Sequence, residues 1–544
     1  MKDFYNFKKP HLSFFVKKHP MKYLFSIVIY FLLADCSLLK AQNKGPKEFP
    51  KIAYAEMLKE HDTLVNYIKQ TSPVIYYNKE VRGIDFSRYA RQLKKKITPK
   101  TTMGEYLQII KKTLNAAQDG HTSQVNSTLL DIVKKYWIPA KLVKFDCAST
   151  ANMYEYVIYL KEAYYSKPEL NLIYTSGEYY NMLAFSYKGT DYPAGMKLLS
   201  CNGKNIHEFV KTLTELVSPL RWDREKNRVY DENFYWPAEI YKKGVLKLVF
   251  ADKNNTIHQL NIAKQDTVTY LDKKNNDYGY LSQTDTVVTH YFAQPGIFYA
   301  KIPAMREELG DTIKRRLVAA FRHHKVKSIV IDIRGNGGGS DNTYSKFLSK
   351  IVQDTLKKKV VVARNFSPYI QAQYHINRDS VLKSNTYTFN PGVPTLKSQE
   401  MYYIKQDFNF VVPDSVTLPF DGKIYLLQDK FIYSSASNLS SLANNSEQLV
   451  SIGETPDLLS GLQASTLMMM LPYSKFIFRV EPQIDLTDIK TVDDIFQNHV
   501  EYPVRYSIEH LYLRATIKAH IYGKDFLQNH DPMFAKVLEL EKNE

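Results

Sequence analysis

One stretch constrains this 544-residue chain more than any other: SIVIDIRGNGGGSDN, Ser328 to Asn342. Ile329-Val330-Ile331-Asp332-Ile333 lacks the apolar–polar alternation of a half-exposed strand, so it reads as a strand covered on both faces, as in a parallel sheet. The run ends in Arg334-Gly335-Asn336-Gly337-Gly338-Gly339. A glycine loop after a buried strand presents backbone N–H groups, which suit either a phosphate or a developing oxyanion. The phosphate readings fail at the residues that carry the chemistry. A P-loop needs Gly-Lys-Ser/Thr, and here Gly339 is followed by Ser340-Asp341. A dinucleotide fingerprint begun at Gly335 and Gly337 would need its third glycine at Ser340. Ser340-Asp341-Asn342 matches the SDN of penicillin-recognising serine enzymes, but no KTG follows.

The surrounding text is α/β. From about residue 296, GIFYAKI reads as a strand and DTIKRRLVAAFRHH as a helix; SIVIDI is a strand and NTYSKFLSKIV a helix. GKIYLLQD, SASNLSSLANN and LVSIGE then give strand, helix and strand, which implies right-handed crossovers and a largely parallel sheet. Residues 362–420 read as an irregular insert. Residues 50–120 read as helical, most clearly over TTMGEYLQIIKKTLNAAQDGHT, where Thr102 and Glu105 have capping-box spacing. Asp119-Gly120 is the expected stop, with Gly120 suited to a left-handed cap, so His121 stands in a turn. The expected organisation is a signal peptide over 1–41, a helical region over 42–130 and mixed strands and turns over 131–185. A compact strand–turn–helix–hairpin module over 186–280 and an α/β core over 290–544 complete it.

Of the formal charge of +17, five charges fall in residues 1–41, and the rest is scattered. No nucleic-acid motif accompanies the Lys94–Lys96 and Lys357–Lys359 runs, so solvated surface is their reading. Leu24 to Ala34 is an apolar run of eleven behind Met21-Lys22, too short to span a bilayer and typical of a secretory signal. Export to the periplasm or outside the cell is expected, with cleavage near Ala41 or a lipid anchor at Cys36. Cys147 and Cys201 do not make a disulfide framework, and Cys201 in MKLLSCNG reads as a buried thiol. HEFVK at 207–211 has lysine where a zinc motif needs its second histidine, so neither a catalytic metal nor a cofactor is expected.

The second strand-to-helix junction matters more than the first. LLQDKFIYSSASNLSSL sets Tyr433-Ser434-Ser435-Ala436-Ser437 at a helix N-terminus, where free N–H groups and the helix dipole favour an activated hydroxyl and the anion that follows its attack. A serine N-cap is the plain alternative.

Together the two junctions, followed by IGET, resemble the core of the C-terminal processing and tricorn-type serine peptidases. DGHT at 119–122 is similar to the signature of the tricorn and retinoid-binding-protein branch. YPAGMKLLSCNGKNIHEFV resembles the family's PDZ-like element, and NHVEYPVRYSIEHL with GKDFLQNHDPMFAKVLEL its closing segment. The resemblance implies a crotonase-like or ClpP-like α/β core with a PDZ-like module. It implies Ser435 as nucleophile, with Ser434 and Ser437 as rivals. It also implies an oxyanion hole from the N–H groups of Gly337, Gly338 and Ala436. Processing peptidases use a lysine some two dozen residues after the serine; between Ser435 and Lys475 there is neither lysine nor arginine. The tricorn-like branch implies His121 as the base instead. Glu501, Glu481 and Glu454, in that order, are candidates for the orienting carboxylate. The family's acidic residue after the nucleophile is Asn438 here. The expectation is a secreted serine endopeptidase acting on a peptide or protein. A non-catalytic binding protein on the same fold and a serine esterase are the competing readings.

Overall fold

The computed structural model describes residues 49–141, 143, 145, 147–166, 170–272, 286–376, 401–456, 466–487, 489, 494 and 499–543. The expected signal segment and Cys36 lie outside these residues. Among the described residues no helix is long and apolar enough to cross a membrane.

From residue 51 onward the chain is α/β. Helices Tyr54–Thr71, Val74–Arg82, Phe86–Lys94 and α1 (Met103–Asn115) open it. The capping box of α1 forms: Thr102 accepts from the Glu105 N–H, and Glu105 accepts from the Thr102 N–H at 2.8 Å. Mixed strands were expected over 131–185. Instead Cys147–Tyr164 is an 18-residue helix that packs on α1. The strands Leu172–Thr175 and Glu178–Asn181, upstream of 186, join a sheet with Lys197–Cys201, Val245–Ala251 and Ile257–Ala263. The last two form the expected hairpin around Asp252–Asn255, and Ile206–Lys211 is the helix after the Asn-Gly turn. Cys201 is buried, which raises its thiol pKa far above the usual range.

The core sheet runs in the order β1 (Val288–Phe292), β2 (Ile297–Lys301), β3 (Ser328–Asp332), β4 (Ile424–Gln428), β5 (Leu449–Gly453) and β6 (Tyr502–Pro503). β1 is antiparallel to β2, and every later pairing is parallel. Both faces are covered, which is why β3 and β4 carry no polar alternation. Ile329, Ile331, Ile424 and Leu426 face α2 (Glu307–His323), α3 (Asn342–Leu348) and α4 (Ser435–Leu442). Val330, Tyr425 and Leu427 face α5 (Ile508–Thr516), α6 (Lys524–His530) and α7 (Pro532–Asn543). The segment expected to be irregular carries one arm of order: Leu356–Asn365 pairs antiparallel with Met401–Val411 and with Ile484–Asp485.

Beneath the glycine loop is a buried ionic knot. Arg334 Nε donates to both oxygens of Asp332 at 3.0 Å, and its NH1 donates to Asp531 at 2.6 Å. Lys301 donates to the Arg334 carbonyl, and the Tyr299 hydroxyl to Asp332 at 2.7 Å. Lys301, Asp332, Arg334 and Asp531 are all buried, so each charge depends on its partner.

Candidate active site

The glycine loop and the start of α4 meet at the carboxyl edge of the core sheet, where open α/β sheets bind their ligands. Tyr433 N–H donates to the Asn336 carbonyl at 3.1 Å and ties the two junctions together. Gly338 lies flat on the turn. It has φ +100°, and a Cβ there would come within 2.6 Å of the Tyr433 carbonyl oxygen and 3.0 Å of the Ser435 nitrogen. A side chain is excluded both by the left-handed backbone and by the close approach.

Ser434 is the N-cap of α4 and has φ 52°, ψ −123°, a conformation non-glycine residues rarely adopt. It turns the chain sharply and makes Ser435 the first residue of the helix. Ser435 is 2 % exposed, and its Oγ has no hydrogen-bond partner among the described residues. Of the rivals, Ser437 is buried further into the helix, and Ser434 is half-exposed at the cap.

The expected oxyanion donors are only partly available. Gly338 N–H is held by Asn336 Oδ1 at 2.9 Å, because the asparagine side chain folds over its own loop. Ala436 N–H closes the first turn onto the Tyr433 carbonyl at 3.1 Å. That leaves the N–H groups of Gly337 and of Ser435 itself without partners among the described residues.

His121 arrives from the other side. α1 ends at Asn115, and the left-handed residue beyond it is Gln118, φ 53°, not the expected Gly120. Gly120 serves a different purpose: a Cβ there would meet the Tyr433 hydroxyl at 2.4 Å. Asp119 holds the turn, accepting the His121 N–H at 3.0 Å and the Thr122 hydroxyl at 2.6 Å. The His121 ring stacks on Tyr433, with centroids 5.2 Å apart and planes at 28°, and Nδ1 lies 3.1 Å from the Tyr433 hydroxyl. No hydrogen bond joins His121 to Ser435; the contact runs through Tyr433, two residues before the serine. Burial, and then the Arg479 charge, lower the His121 pKa to about 4.

The three carboxylate candidates separate clearly. Glu501, placed first, is exposed at the sheet edge, its N–H on Ser451 Oγ at 3.0 Å; nothing among the described residues links it to His121. Strand register explains the difference. Ser123 pairs with Arg479 and Gln124 with Phe478, which brings the Glu481 backbone beside Thr122, the residue after His121. Glu481 is fully buried and donates its N–H to Thr122 Oγ1 at 3.2 Å. Glu454 follows β5, paired through its backbone with Gln428. It lines a cavity of about 250 Å³ with Tyr174, Trp222, Tyr230, Lys430 and Arg505.

Four contributors escaped sequence reasoning: Tyr433, Asn336, Asp341 and Arg479. Asn438 Nδ2 donates to both oxygens of Asp341, at 3.1 and 3.2 Å. The acid absent from α4 thus stands on the opposite wall, just past the glycine loop. The SDN triplet at 340–342 was the available signal for it. Among the described residues no group of side chains could hold a metal ion.

Comparison with known proteins agrees with this architecture. Residues 296–480 match peptidase family S41. No curated protein sequence matches the chain. Among solved structures, mature CPAF complexed with lactacystin shares 9% identity, with 90% of this chain and 99% of that chain covered and a TM-score of 0.54. Mature CPAF gives 9%, 90%, 98% and 0.53. A putative peptidase from Parabacteroides merdae gives 13%, 90%, 97% and 0.41. At such identities the first two show a shared fold and no more. The family match over residues 296–480, which contains both junctions, supports a serine-type peptidase whose core is similar to family S41, the family of the C-terminal processing and tricorn-type enzymes.

Proposed function

We propose that the chain is an exported serine endopeptidase that cleaves peptide bonds through an acyl-enzyme on Ser435, with His121 as general base. One observation carries this reading: a buried Ser435 hydroxyl without a partner among the described residues, at a helix N-terminus, under a glycine loop with the Gly337 N–H open and His121 held on the tyrosine two residues before the serine. The reaction follows from those groups. His121 Nε2 takes the Ser435 proton as Oγ bonds to the peptide carbonyl carbon. The tetrahedral oxygen carries the negative charge, and the Gly337 N–H stabilises it. The C–N bond breaks, the imidazolium gives its proton to the leaving amine, and water repeats the sequence to release the acid.

Because no hydrogen bond yet joins His121 to Ser435, the reading requires a small closure when peptide binds. The parallel core sheet supports the crotonase-like or ClpP-like expectation, and the strand–helix–hairpin module supports a PDZ-like role in holding an extended peptide. The apolar run Leu24–Ala34 supports export.

The test is intact-mass spectrometry after a fluorophosphonate probe, with Ser435→Ala and His121→Ala in parallel. One adduct on the wild type, lost in both variants, is expected. Adduct formation that survives His121→Ala would remove the histidine from the mechanism. No adduct on folded wild type, with or without peptide present, would favour the binding-protein reading.

A further inference from the structure

Tyr433 touches every part of the candidate site. Its N–H is bonded to Asn336 in the glycine loop, and its carbonyl accepts from Ala436 and abuts Gly338. Its ring stacks on His121, its hydroxyl lies 3.1 Å from Nδ1, and Gly120 is bare where the phenol end passes. In a serine triad, the group on the far ring nitrogen of the base fixes the tautomer and the ring plane. Here the group at Nδ1 is a phenol, and Glu501, the first carboxylate expected there, stands at the far edge of the sheet.

We propose that Tyr433 is the positioning residue for His121: its phenolic oxygen accepts Nδ1–H, which fixes the tautomer whose Nε2 lone pair is free to take the Ser435 proton. This rests on the reading of Ser435 and His121 given above. The opposite tautomer would put the proton on Nε2 and leave nothing to accept from the serine. The stacking fixes the ring plane, and the hydrogen bond fixes its rotation within that plane. The phenol stays neutral, so Tyr433 orients the imidazole without adding the charge stabilisation that a carboxylate gives to an imidazolium.

Tyr433→Phe keeps the ring and removes only the oxygen. Fluorophosphonate labelling should slow about 10- to 100-fold at unchanged apparent probe affinity, since the loss falls on the proton-transfer step. Glu481→Gln, made in parallel, should change the rate far less. A second readout is independent of activity. In ¹⁵N-histidine NMR of the full chain, the His121 signal, identified by its loss in His121→Ala, should show a protonated Nδ1. In Tyr433→Phe that signal should move toward a mixture of tautomers. Labelling and tautomer both unchanged in Tyr433→Phe would overturn the proposal. So would a rate loss that follows Glu481→Gln in its place. Absence of labelling in wild type would sink the catalytic reading alone, and the tautomer shift would still decide the role of Tyr433.

Discussion

Replacing Asn438 by Asp separates an argument from family pattern from an argument from structure. The pattern expects an acid at this position, so Asn438→Asp looks like a restoration. The structure predicts harm. The Asn438 amide donates to both Asp341 oxygens at 3.1 and 3.2 Å, joining α4 to the end of the glycine loop. The substitution would set two carboxylates roughly 3.5 Å apart, a repulsion of about 1 kcal/mol in water and about 5 kcal/mol at an effective dielectric of about 20. Asn438 is buried and Asp341 half-buried, so a cost of about 3 kcal/mol is expected near pH 7.5. The pair escapes by keeping one proton, at about 1.4 kcal/mol per pKa unit, so the deficit should shrink as pH falls from about 6 and be gone near about pH 4. Urea unfolding of wild type, Asn438→Asp, Asp341→Asn and the double variant checks this. The double variant exchanges donor and acceptor, and should recover at least about 2 kcal/mol over the sum of the single changes. Additive single effects, or an Asn438→Asp midpoint equal to wild type near pH 7.5, would refute the clamp.

Three further outcomes follow from the geometry. Gly338→Ala forces a methyl onto the Tyr433 carbonyl at positive φ; a loss of about 2–4 kcal/mol in thermal or urea unfolding and near-complete loss of probe labelling are expected. The acid limb of the labelling rate should lie near pH 4, because burial and then Arg479 keep His121 neutral below its ordinary 6.5; Arg479→Gln should move the limb partway upward, and a wild-type limb near 6.5 would contradict the buried pocket. Burial opposes ionisation of Asp332, yet Arg334 and Lys301 outweigh it and hold its pKa at about 2. That stabilisation is present above about pH 4 and lost as pH falls toward 2, while Asp332→Asn should cost about 3–5 kcal/mol at pH 7 in urea unfolding by stranding Arg334.

The parts of the fold that were legible were those written in local pattern. β3 and β4 are unbroken apolar runs because both faces are packed, and the capping box of α1 reads directly from Thr102 and Glu105. Cys147–Tyr164 was obscured by its aromatic and β-branched residues, which favour strands in isolation; packing against α1 overrides that preference. The Leu356–Asn365 ribbon has its partner more than thirty-five residues away, beyond any local signal. The site divides the same way. Ser435 and His121 sit at turns that announce themselves, whereas the placement of Glu481 beside Thr122, with Glu501 away at the sheet edge, depends on the pairing of Ser123 with Arg479, a register that joins positions 356 apart. Gly120 was expected as a left-handed cap, and that place is taken by Gln118. At Gly120 the freedom of glycine is spent on room for a phenol and not on a backbone angle.

The ion pair between Arg334 and Asp531 sets an order of events during synthesis. Ribosomes deliver Arg334, at the head of the glycine loop, 197 residues before Asp531. Until that residue is made, the guanidinium under the loop has Asp332 on one side and no anion on the other. A nascent chain therefore holds Ser435 and His121 well before the loop above them is braced. The second anion that braces the loop arrives only with the last helices.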